Sequence, residues 1–210
     1  MKAHTKDTQA AITPQIALQL LKDGNKRFQE NLKSNRDLIE QVQATSTGQY
    51  PFATVLSCID SRVSSELIFD QGIGDIFSAR VAGNFVNEDI LGSMEFACKL
   101  AGTKLVVVLG HTACGAIKGA CDNAELGNLT KLISKLKPAV EAVSEPKDAS
   151  LRNSGNIEFV DTVAKMNVNL TIENIKTQSE VLNEMAENNE IMIIGGMYDI
   201  SNGEVTFFEV

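Results

Sequence analysis

The feature that most constrains the fold is a set of short apolar runs separated by longer stretches with helical periodicity. The runs are PFATVLSC (51–58), IFSARVAG (76–83), KLVVVLGH (104–111) and EIMIIGGMYD (190–199). Such runs are typical of buried strands, and strands that alternate with helices favour a mainly parallel sheet. Asn202-Gly203 then predicts a hairpin turn into an antiparallel strand. We therefore expect an α/β fold with a central, mainly parallel sheet of four strands plus an antiparallel edge strand.

The segments between these runs carry helix signals. Thr13-Pro14 predicts a helix N-terminus, Asn87 predicts a second, and one apolar stripe from Val160 to Met185 predicts a single long helix. Residues 1–12 are expected to form a flexible arm, and residues 13–49 an N-terminal helical extension. A chain of 210 residues suits one domain with a sizeable core. We therefore predict a single domain over residues 1–210, with helices on both faces of the sheet.

The charge balance argues against two classes of partner. Acidic residues outnumber basic ones by 27 to 19, which gives a formal net charge of -8 and a pI near 4.8. We therefore expect no nucleic-acid partner and no membrane partner. The chain has no apolar run long enough to span a bilayer and no apolar signal segment at its start, so we expect a cytoplasmic location. In a reducing compartment, the four cysteines favour metal binding or simple burial over disulfides.

Candidate metal ligands follow two of the predicted strands. Cys58 ends the first run, and His111 and Cys114 lie at the end of the third, in GHTACG (110–115). The carboxyl ends of parallel strands gather at one edge of a sheet, where α/β proteins bind ligands. Two thiolates and one imidazole suit zinc by number and by softness. Three such ligands leave a fourth, exchangeable position, as in catalytic sites, although a structural zinc or plain burial is consistent with the same spacing.

Asp60 and Arg62 bear on this choice. In SCIDSR (57–62) they alternate with Cys58, and strand alternation would place the three side chains on one side. If Asp60 ligated zinc, the site would be closed and structural. If Asp60 instead paired with Arg62, zinc would keep a water molecule, whose pKa it can lower to about 7. The alternation alone leaves both arrangements open.

The motifs SCIDSRV (57–63) and GHTACGA (110–116), separated by RVAGN (80–84), resemble those of the β-class carbonic anhydrases. The resemblance extends from about Thr13 to the C-terminus. It implies zinc-dependent, reversible hydration of carbon dioxide to bicarbonate and a proton. In that reaction, zinc-bound hydroxide attacks the carbon of the substrate.

The resemblance also implies roles for individual residues. It implies one Zn2+ per chain, held by Cys58, His111 and Cys114. Asp60 and Arg62 would form the catalytic dyad, with the aspartate orienting the zinc-bound hydroxide.

Substrate binding and assembly follow from the same resemblance. It implies that Gln71 and Gly115 bind substrate, with Gln71 reaching a neighbouring site, in a homodimer or homotetramer whose N-terminal helices wrap around the partner. A subgroup that is switched off by bicarbonate carries Trp three residues before the first cysteine. Val55 stands at that position, which favours the accessible, plant-like type. Ile59 stands where the family has a small residue, and its side chain is expected on the opposite face, with little effect.

Two other functions fit the same residues. A hydrolase of carbonyl sulfide or carbon disulfide would use the same zinc ligands on linear molecules of similar shape, and a restricted apolar entry would distinguish it. A non-catalytic, zinc-stabilised scaffold would instead have Asp60 on the metal in a closed site with four ligands. The substitution Asp60→Asn separates the scaffold from an enzyme, because it would release zinc from a scaffold but mainly slow an enzyme.

Overall fold

In the computed structural model, which describes residues 1–208, five strands form one sheet in the order β2-β1-β3-β4-β5. The strands are β1 (Ala53–Ser57), β2 (Ile76–Arg80), β3 (Leu105–His111), β4 (Met192–Tyr198) and β5 (Val205–Phe207). The first four pair in parallel, and β5 pairs antiparallel with β4 at one edge. The predicted α/β fold, with its parallel sheet and antiparallel edge strand, is confirmed.

Helices connect the strands and flank the sheet. They are α1 (Lys6–Ala10), α2 (Pro14–Gln29), α3 (Leu38–Thr45), α4 (Ser65–Ile68), α5 (Glu88–Glu95), α6 (Gly115–Cys121), α7 (Gly127–Ser134), α8 (Lys137–Ala142), α9 (Ile157–Gln178) and α10 (Glu180–Glu187). One turn of π-helix (Phe96–Leu100) continues α5, and a 3-10 turn (Ala149–Leu151) precedes α9. As predicted, Thr13 caps α2 and Asn87 caps α5 by accepting hydrogen bonds from backbone N–H groups. Within residues 1–208, no helix combines the length and the apolar character needed to cross a membrane.

Alternation along β3 divides the core into two layers. Leu105, Val107 and Leu109 face one side of the sheet, where they pack in a cluster with residues of α2. Val106 and Val108 face the other side, in a cluster with residues of α9 and α10. All of β3 is buried, as expected for a central strand with helices on both faces. The rigid centre of the sheet thus ends at His111, the last residue of β3.

The N-terminal segment differs from the expected flexible arm. Residues 6–10 form α1, and Thr5 and Thr8 form a reciprocal capping box at its start. Gln9 is buried, and its Nε2 atom donates hydrogen bonds to the Pro51 carbonyl at 2.6 Å and the Ala101 carbonyl at 2.8 Å. These two contacts hold the segment against the body of the protein.

The long helix predicted from the stripe between Val160 and Met185 is divided in two. α9 ends at Gln178, and Ser179 has an extended backbone before α10 begins. The Ser179 hydroxyl accepts a hydrogen bond from the Leu182 N–H and donates one to Glu95 at 2.6 Å. A serine that caps a new helix interrupts the old one without disturbing the apolar stripe.

Candidate metal centre

The three predicted metal ligands lie together at the carboxyl end of the sheet. Cys58 directly follows β1, His111 ends β3, and Cys114 immediately precedes α6. Their donor atoms all lie within 4.8 Å of one another, and the two sulfur atoms are 4.0 Å apart. All three side chains are buried. They meet because β1 and β3 are parallel neighbours in the sheet.

His111 presents a free nitrogen in this cluster. Its Nδ1 atom lies 3.0 Å from the Thr112 carbonyl oxygen, which can only accept a hydrogen bond. The proton therefore belongs on Nδ1, and Nε2 keeps its lone pair. Among the described residues, His111 Nε2 is buried without a hydrogen-bond partner. A buried lone pair beside two thiols fits a metal ligand, with the carbonyl fixing the ring orientation.

The two sulfur atoms are electrostatically linked. The pKa of Cys58 is lowered, first by its hydrogen bond with Cys114, against the opposing effect of burial. The backbone N–H of Gly83, 3.4 Å from Cys58 Sγ, adds to the lowering. The pKa of Cys114 is raised, first by the same hydrogen bond and then by burial. For both sulfur atoms to be thiolates at this separation, a cation between them would be needed, and a soft metal ion would supply it.

Asp60 and Arg62 form a bidentate ion pair beside the cluster. Arg62 Nε donates to Asp60 Oδ1 at 2.9 Å, and Nη2 donates to Oδ2 at 2.8 Å. The Arg62 backbone N–H also donates to Oδ1 at 3.0 Å. Chiefly because of Arg62, the pKa of Asp60 lies well below its usual range. The donor cluster found among the described residues contains the two cysteines and His111 but not Asp60.

A turn, rather than strand alternation, brings Asp60 and Arg62 together. β1 ends at Ser57, and the Val63 N–H donates to the Asp60 carbonyl at 2.9 Å to close the turn. The expectation that the strand continues to Arg62 is therefore wrong. The ion pair forms within the turn, where both charged groups stay close to Cys58.

Arg80 holds the segment that carries Cys58 and Asp60. Its Nε donates to the Cys58 carbonyl at 3.0 Å, and its Nη2 donates to the Asp60 carbonyl at 2.7 Å. On the other side of Cys58, Asn167 of α9 donates to the Gly83 carbonyl at 2.8 Å. Sequence reasoning missed both residues. Arg80 begins the RVAGN segment, but the partners of both side chains are backbone atoms, which leave no trace in the sequence.

The segment that carries His111 and Cys114 is held by other contacts. The Thr112 N–H donates to the Tyr198 carbonyl at 3.0 Å, and the Ala113 N–H donates to Asp161 Oδ1 at 2.7 Å. Asp161 was also missed. It lies 48 positions from Ala113 in the sequence, and nothing in the helical pattern of α9 sets it apart.

A cavity of about 300 Å3 opens beside the cluster, and most of its surface is apolar. It is lined by Cys58, Ile59, Asp60, Ala82, Gly115, Ala116, Gly119, Leu129 and Ile133. Gly115, expected near substrate, therefore lies on its wall. So does Ile59, which is 61% exposed. The expectation that Ile59 points to the opposite face is wrong, because it assumed a strand where the chain turns.

Gln71 is not brought to this cavity within one chain. It lies between α4 and β2, close to the amino end of β2, whereas Cys58 lies at the carboxyl end of β1. Its Nε2 atom donates to the Phe69 carbonyl at 2.6 Å. A parallel sheet keeps these two ends apart, so Gln71 can reach a metal centre only in another copy of the chain.

The fold and the donor cluster agree with one class of protein. The family model for carbonic anhydrase matches residues 53–205, which run from the first residue of β1 to the first residue of β5 and include the three ligand candidates. The chain therefore belongs to the carbonic anhydrase family, and its solved structural neighbours assign it to the β class. The predicted family and the predicted kind of enzyme are confirmed.

Individual relatives are similar over nearly the whole chain. Carbonic anhydrase 2 of Mycobacterium tuberculosis is 32% identical over 191 residues, covering 90% of each chain. The carbonic anhydrase of Mycolicibacterium smegmatis is 32% identical over 198 residues, covering 91% of this chain and 92% of the relative. Among solved structures, the β-carbonic anhydrase CcaA is 28% identical with a TM-score of 0.67, covering 91% of this chain and 95% of that chain. The β-carbonic anhydrase CafA of Aspergillus fumigatus is 25% identical with a TM-score of 0.69, and the match covers 88% of this chain and 84% of that chain.

Proposed function

We propose that the protein is a zinc enzyme that catalyses the reversible hydration of carbon dioxide to bicarbonate and a proton. The observation that carries this proposal is the buried cluster of three soft donors next to a carboxylate that is occupied by arginine. Three protein ligands with a fourth position free is the arrangement of catalytic zinc sites. A closed scaffold would need Asp60 on the metal, but both of its oxygen atoms accept hydrogen bonds from Arg62.

Zinc is the metal that the donors suit best. Two thiols and the free Nε2 atom of His111 form a mixed sulfur and nitrogen set, which favours zinc over the hard cations that prefer oxygen. When bound, zinc would lower the pKa of water to about 7 and so supply hydroxide at neutral pH. We propose one zinc ion per chain, held by Cys58, His111 and Cys114.

Asp60 supplies a fixed hydrogen-bond acceptor beside these ligands. Because Arg62 keeps the pKa of Asp60 well below its usual range, the carboxylate stays ionised and accepts hydrogen bonds rather than donating them. Oδ1 accepts two hydrogen bonds from Arg62, but Oδ2 accepts only one, so a second lone pair on Oδ2 remains available to water. The mostly apolar cavity that Asp60 shares with Ile59 and Gly115 suits an uncharged substrate. We therefore assign Asp60 and Arg62 as the catalytic pair and Gly115 as a substrate contact.

We propose that the enzyme is of the accessible type. In the alternative type, the aspartate leaves arginine and occupies the metal. Val55 is buried at the position where that type has Trp, and Arg62 holds Asp60 through three hydrogen bonds. These two features support an open site at neutral pH.

We propose that the enzyme is a homo-oligomer, because α3 exposes its apolar face. Leu38, Ile39 and Val42 are between 50% and 67% exposed, whereas Gln41 of the same helix is buried. On the surface of a monomer, an amphipathic helix buries its apolar side chains and exposes its polar ones, which is the opposite of what α3 does. A second copy that covered this face would also explain how Gln71 reaches a substrate site, namely the partner's.

We also propose a single domain in a reducing, cytoplasmic compartment. All five strands belong to one sheet, which supports one folding unit. All four cysteines are free and buried, and two of them serve the donor cluster, which supports a compartment that keeps thiols reduced.

Stopped-flow hydration of carbon dioxide by zinc-quantified protein, from about pH 6.5 to about pH 9, tests the proposal. We expect one zinc per chain and strong activity already near neutral pH. Activity that appears only at the alkaline end would keep the enzyme but contradict the accessible type. Carbonyl sulfide and carbon disulfide, tested in parallel, would replace the proposed substrate if either were turned over faster than carbon dioxide.

A further inference from the structure

His111 and Cys114 are separated by only two residues, and the second of these has an unusual backbone. Ala113 has a φ of 54°, in the left-handed region that residues other than glycine, asparagine and aspartate seldom adopt. This conformation turns the chain between the end of β3 and the start of α6. It therefore sets the directions in which the two flanking ligand side chains leave the backbone.

Asp161 is the side chain that holds Ala113. Its Oδ1 atom accepts a hydrogen bond from the Ala113 N–H at 2.7 Å, a short contact to a charged acceptor. Asp161 lies in the second turn of α9, next to Val160 and three positions before Ala164. These neighbours are buried in the same apolar cluster as Cys114. α9 therefore packs against the residues around Cys114, and this packing fixes the position of the Asp161 carboxylate.

We propose that Asp161 is a positioning residue for the metal centre, which holds Ala113 in its left-handed conformation and so presets the orientation of His111 relative to Cys114. The inference rests on the proposed zinc-dependent function, because it concerns two ligands of that metal. Asp161 acts through the backbone and does not touch the reacting atoms. Loss of a residue that orients metal ligands lowers metal affinity about 10- to 100-fold in other metalloproteins.

Three variants separate the hydrogen bond from the charge. Asp161→Ala removes both the acceptor and the charge, and alanine is well tolerated in a helix. Asp161→Asn keeps an oxygen acceptor at the same place but removes the charge. Glu173→Ala, at an exposed position of the same helix, is the matched control for loss of one carboxylate from α9. A fourth variant, Asp161→Glu, keeps the charge but moves the carboxylate by one methylene, and replaces Asp161→Ala if that variant does not fold.

The measurement is the rate at which a colorimetric chelator removes zinc from the loaded enzyme, together with the thiolate absorption of the cobalt-substituted protein. We expect Asp161→Ala to release zinc about 10- to 100-fold faster and to show an altered cobalt spectrum. Asp161→Asn should remain close to the native chain, and Glu173→Ala should match it. If Asp161→Glu is used in place of Asp161→Ala, it should release zinc faster than Asp161→Asn does.

Two results would overturn the inference. One is native release and a native cobalt spectrum in Asp161→Ala, or in Asp161→Glu if that variant replaces it. The other is release from Asp161→Asn as fast as from Asp161→Ala, since the charge rather than the hydrogen bond would then matter. A native chain that takes up neither zinc nor cobalt would instead refute the proposed function, so the two failures are distinguishable.

Discussion

At the scale of single residues, Asp60 is distinguished by the number of hydrogen bonds that its carboxylate accepts from one neighbour, Arg62. It accepts two hydrogen bonds from the guanidinium of Arg62 and one from the backbone N–H of the same residue. A bidentate pair of this kind fixes geometry as well as charge. Asp60 therefore offers a constant negative acceptor next to the ligands, with no need to change its protonation state near neutral pH.

Replacing Asp60 by asparagine should damage catalysis and spare metal binding. The neutral amide of the variant could not form the charged pair with Arg62, so Asp60→Asn should lower turnover of carbon dioxide by roughly 100-fold or more, a typical cost for losing a positioned acid or base group. The zinc content should stay at the native level, because Asp60 is outside the three-donor cluster. Stopped-flow hydration and metal analysis of the same samples check both statements. Asp89→Asn, at an exposed position, is the control, and zinc loss in Asp60→Asn would favour the closed scaffold.

The three-donor cluster could be predicted from the sequence, but the contacts that hold its residues in place could not. Cys58, His111 and Cys114 have chemistry that few other residues share, and they follow apolar runs that are typical of strands. Arg80 and Asp161 act on backbone atoms, so neither needs a partner of a recognisable type. Ile59 was misplaced for a related reason, because a turn and the end of a strand look alike over three residues.

At the scale of secondary-structure elements, α2 packs closely against the residues that follow α4 because Gly24 of α2 has no side chain. Gly24 lies in α2, where a Cβ atom would come within 1.8 Å of the Phe69 carbonyl oxygen. The neighbouring Asn25 donates to the Ile68 carbonyl at 3.1 Å and to the Gly203 carbonyl at 2.9 Å. Glycine in a helix thus serves close packing here.

Two glycine substitutions should therefore have opposite effects on stability. Alanine normally stabilises a helix by about 1 kcal/mol relative to glycine. Gly24→Ala should instead destabilise the protein by roughly 1–3 kcal/mol, because backbone must move to admit the methyl group. Gly92→Ala in α5, where no atom beyond the local helix backbone and the adjacent residues lies within 4 Å of the new Cβ, is the matched control and should stabilise the protein. Urea unfolding of both variants gives the two free energies, and equal effects would contradict this account of Gly24.

Elements with strong local signals were predicted, and those fixed by distant contacts were not. β3 is recognisable because it is almost uniformly apolar, and α5 because Asn87 caps it. α1 depends on Gln9, whose two acceptors come from the segment just before β1 and from the end of the π-helical turn. The division between α9 and α10 depends on a serine whose partner, Glu95, lies on α5. No local pattern encodes such contacts.

At the scale of the whole molecule, the exposed apolar face of α3 is the surface that the proposed self-association would bury. Ile39→Glu should weaken association, because a charge would be buried where the partner covers the helix. Gln43→Glu adds the same charge at an exposed polar position of α3 and should have the smaller effect. Light scattering after size-exclusion chromatography measures the molecular mass of each variant in solution. An unchanged mass for Ile39→Glu over a range of concentrations would place the interface elsewhere.

A buried ion cluster ties the N-terminal extension to the rest of the protein. Asp70, 6% exposed, pairs with Arg27 at 2.6 Å and with Arg36 at 2.6 Å, and accepts a hydrogen bond from the Ser34 hydroxyl. Although burial opposes it, these partners hold the pKa of Asp70 well below its usual range. Arg36 is itself almost fully buried. The loop between α2 and α3 therefore depends on one carboxylate.

The stability that Asp70 contributes should be lost in acid. Since its pKa is lower in the folded state, the contribution is complete above the unfolded value, at about pH 4, and disappears as the pH falls toward the folded value. At neutral pH, Asp70→Asn should cost roughly 3 kcal/mol, because it leaves Arg36 buried without its counter-charge. Urea unfolding at several pH values compares the two chains. Curves that stay parallel down to the most acid point would show that Asp70 is not responsible.

The order in which the ligands occur along the chain has a consequence for synthesis. Cys58 and Cys114 are 56 positions apart and meet only where β1 and β3 pair. When the ribosome has delivered only the first half of the chain, Cys58 is the only one of the three cluster donors present, so the proposed metal site cannot yet form. The proposed zinc site is complete only after β1 and β3 have paired, so metal uptake at this site would follow the pairing of these strands.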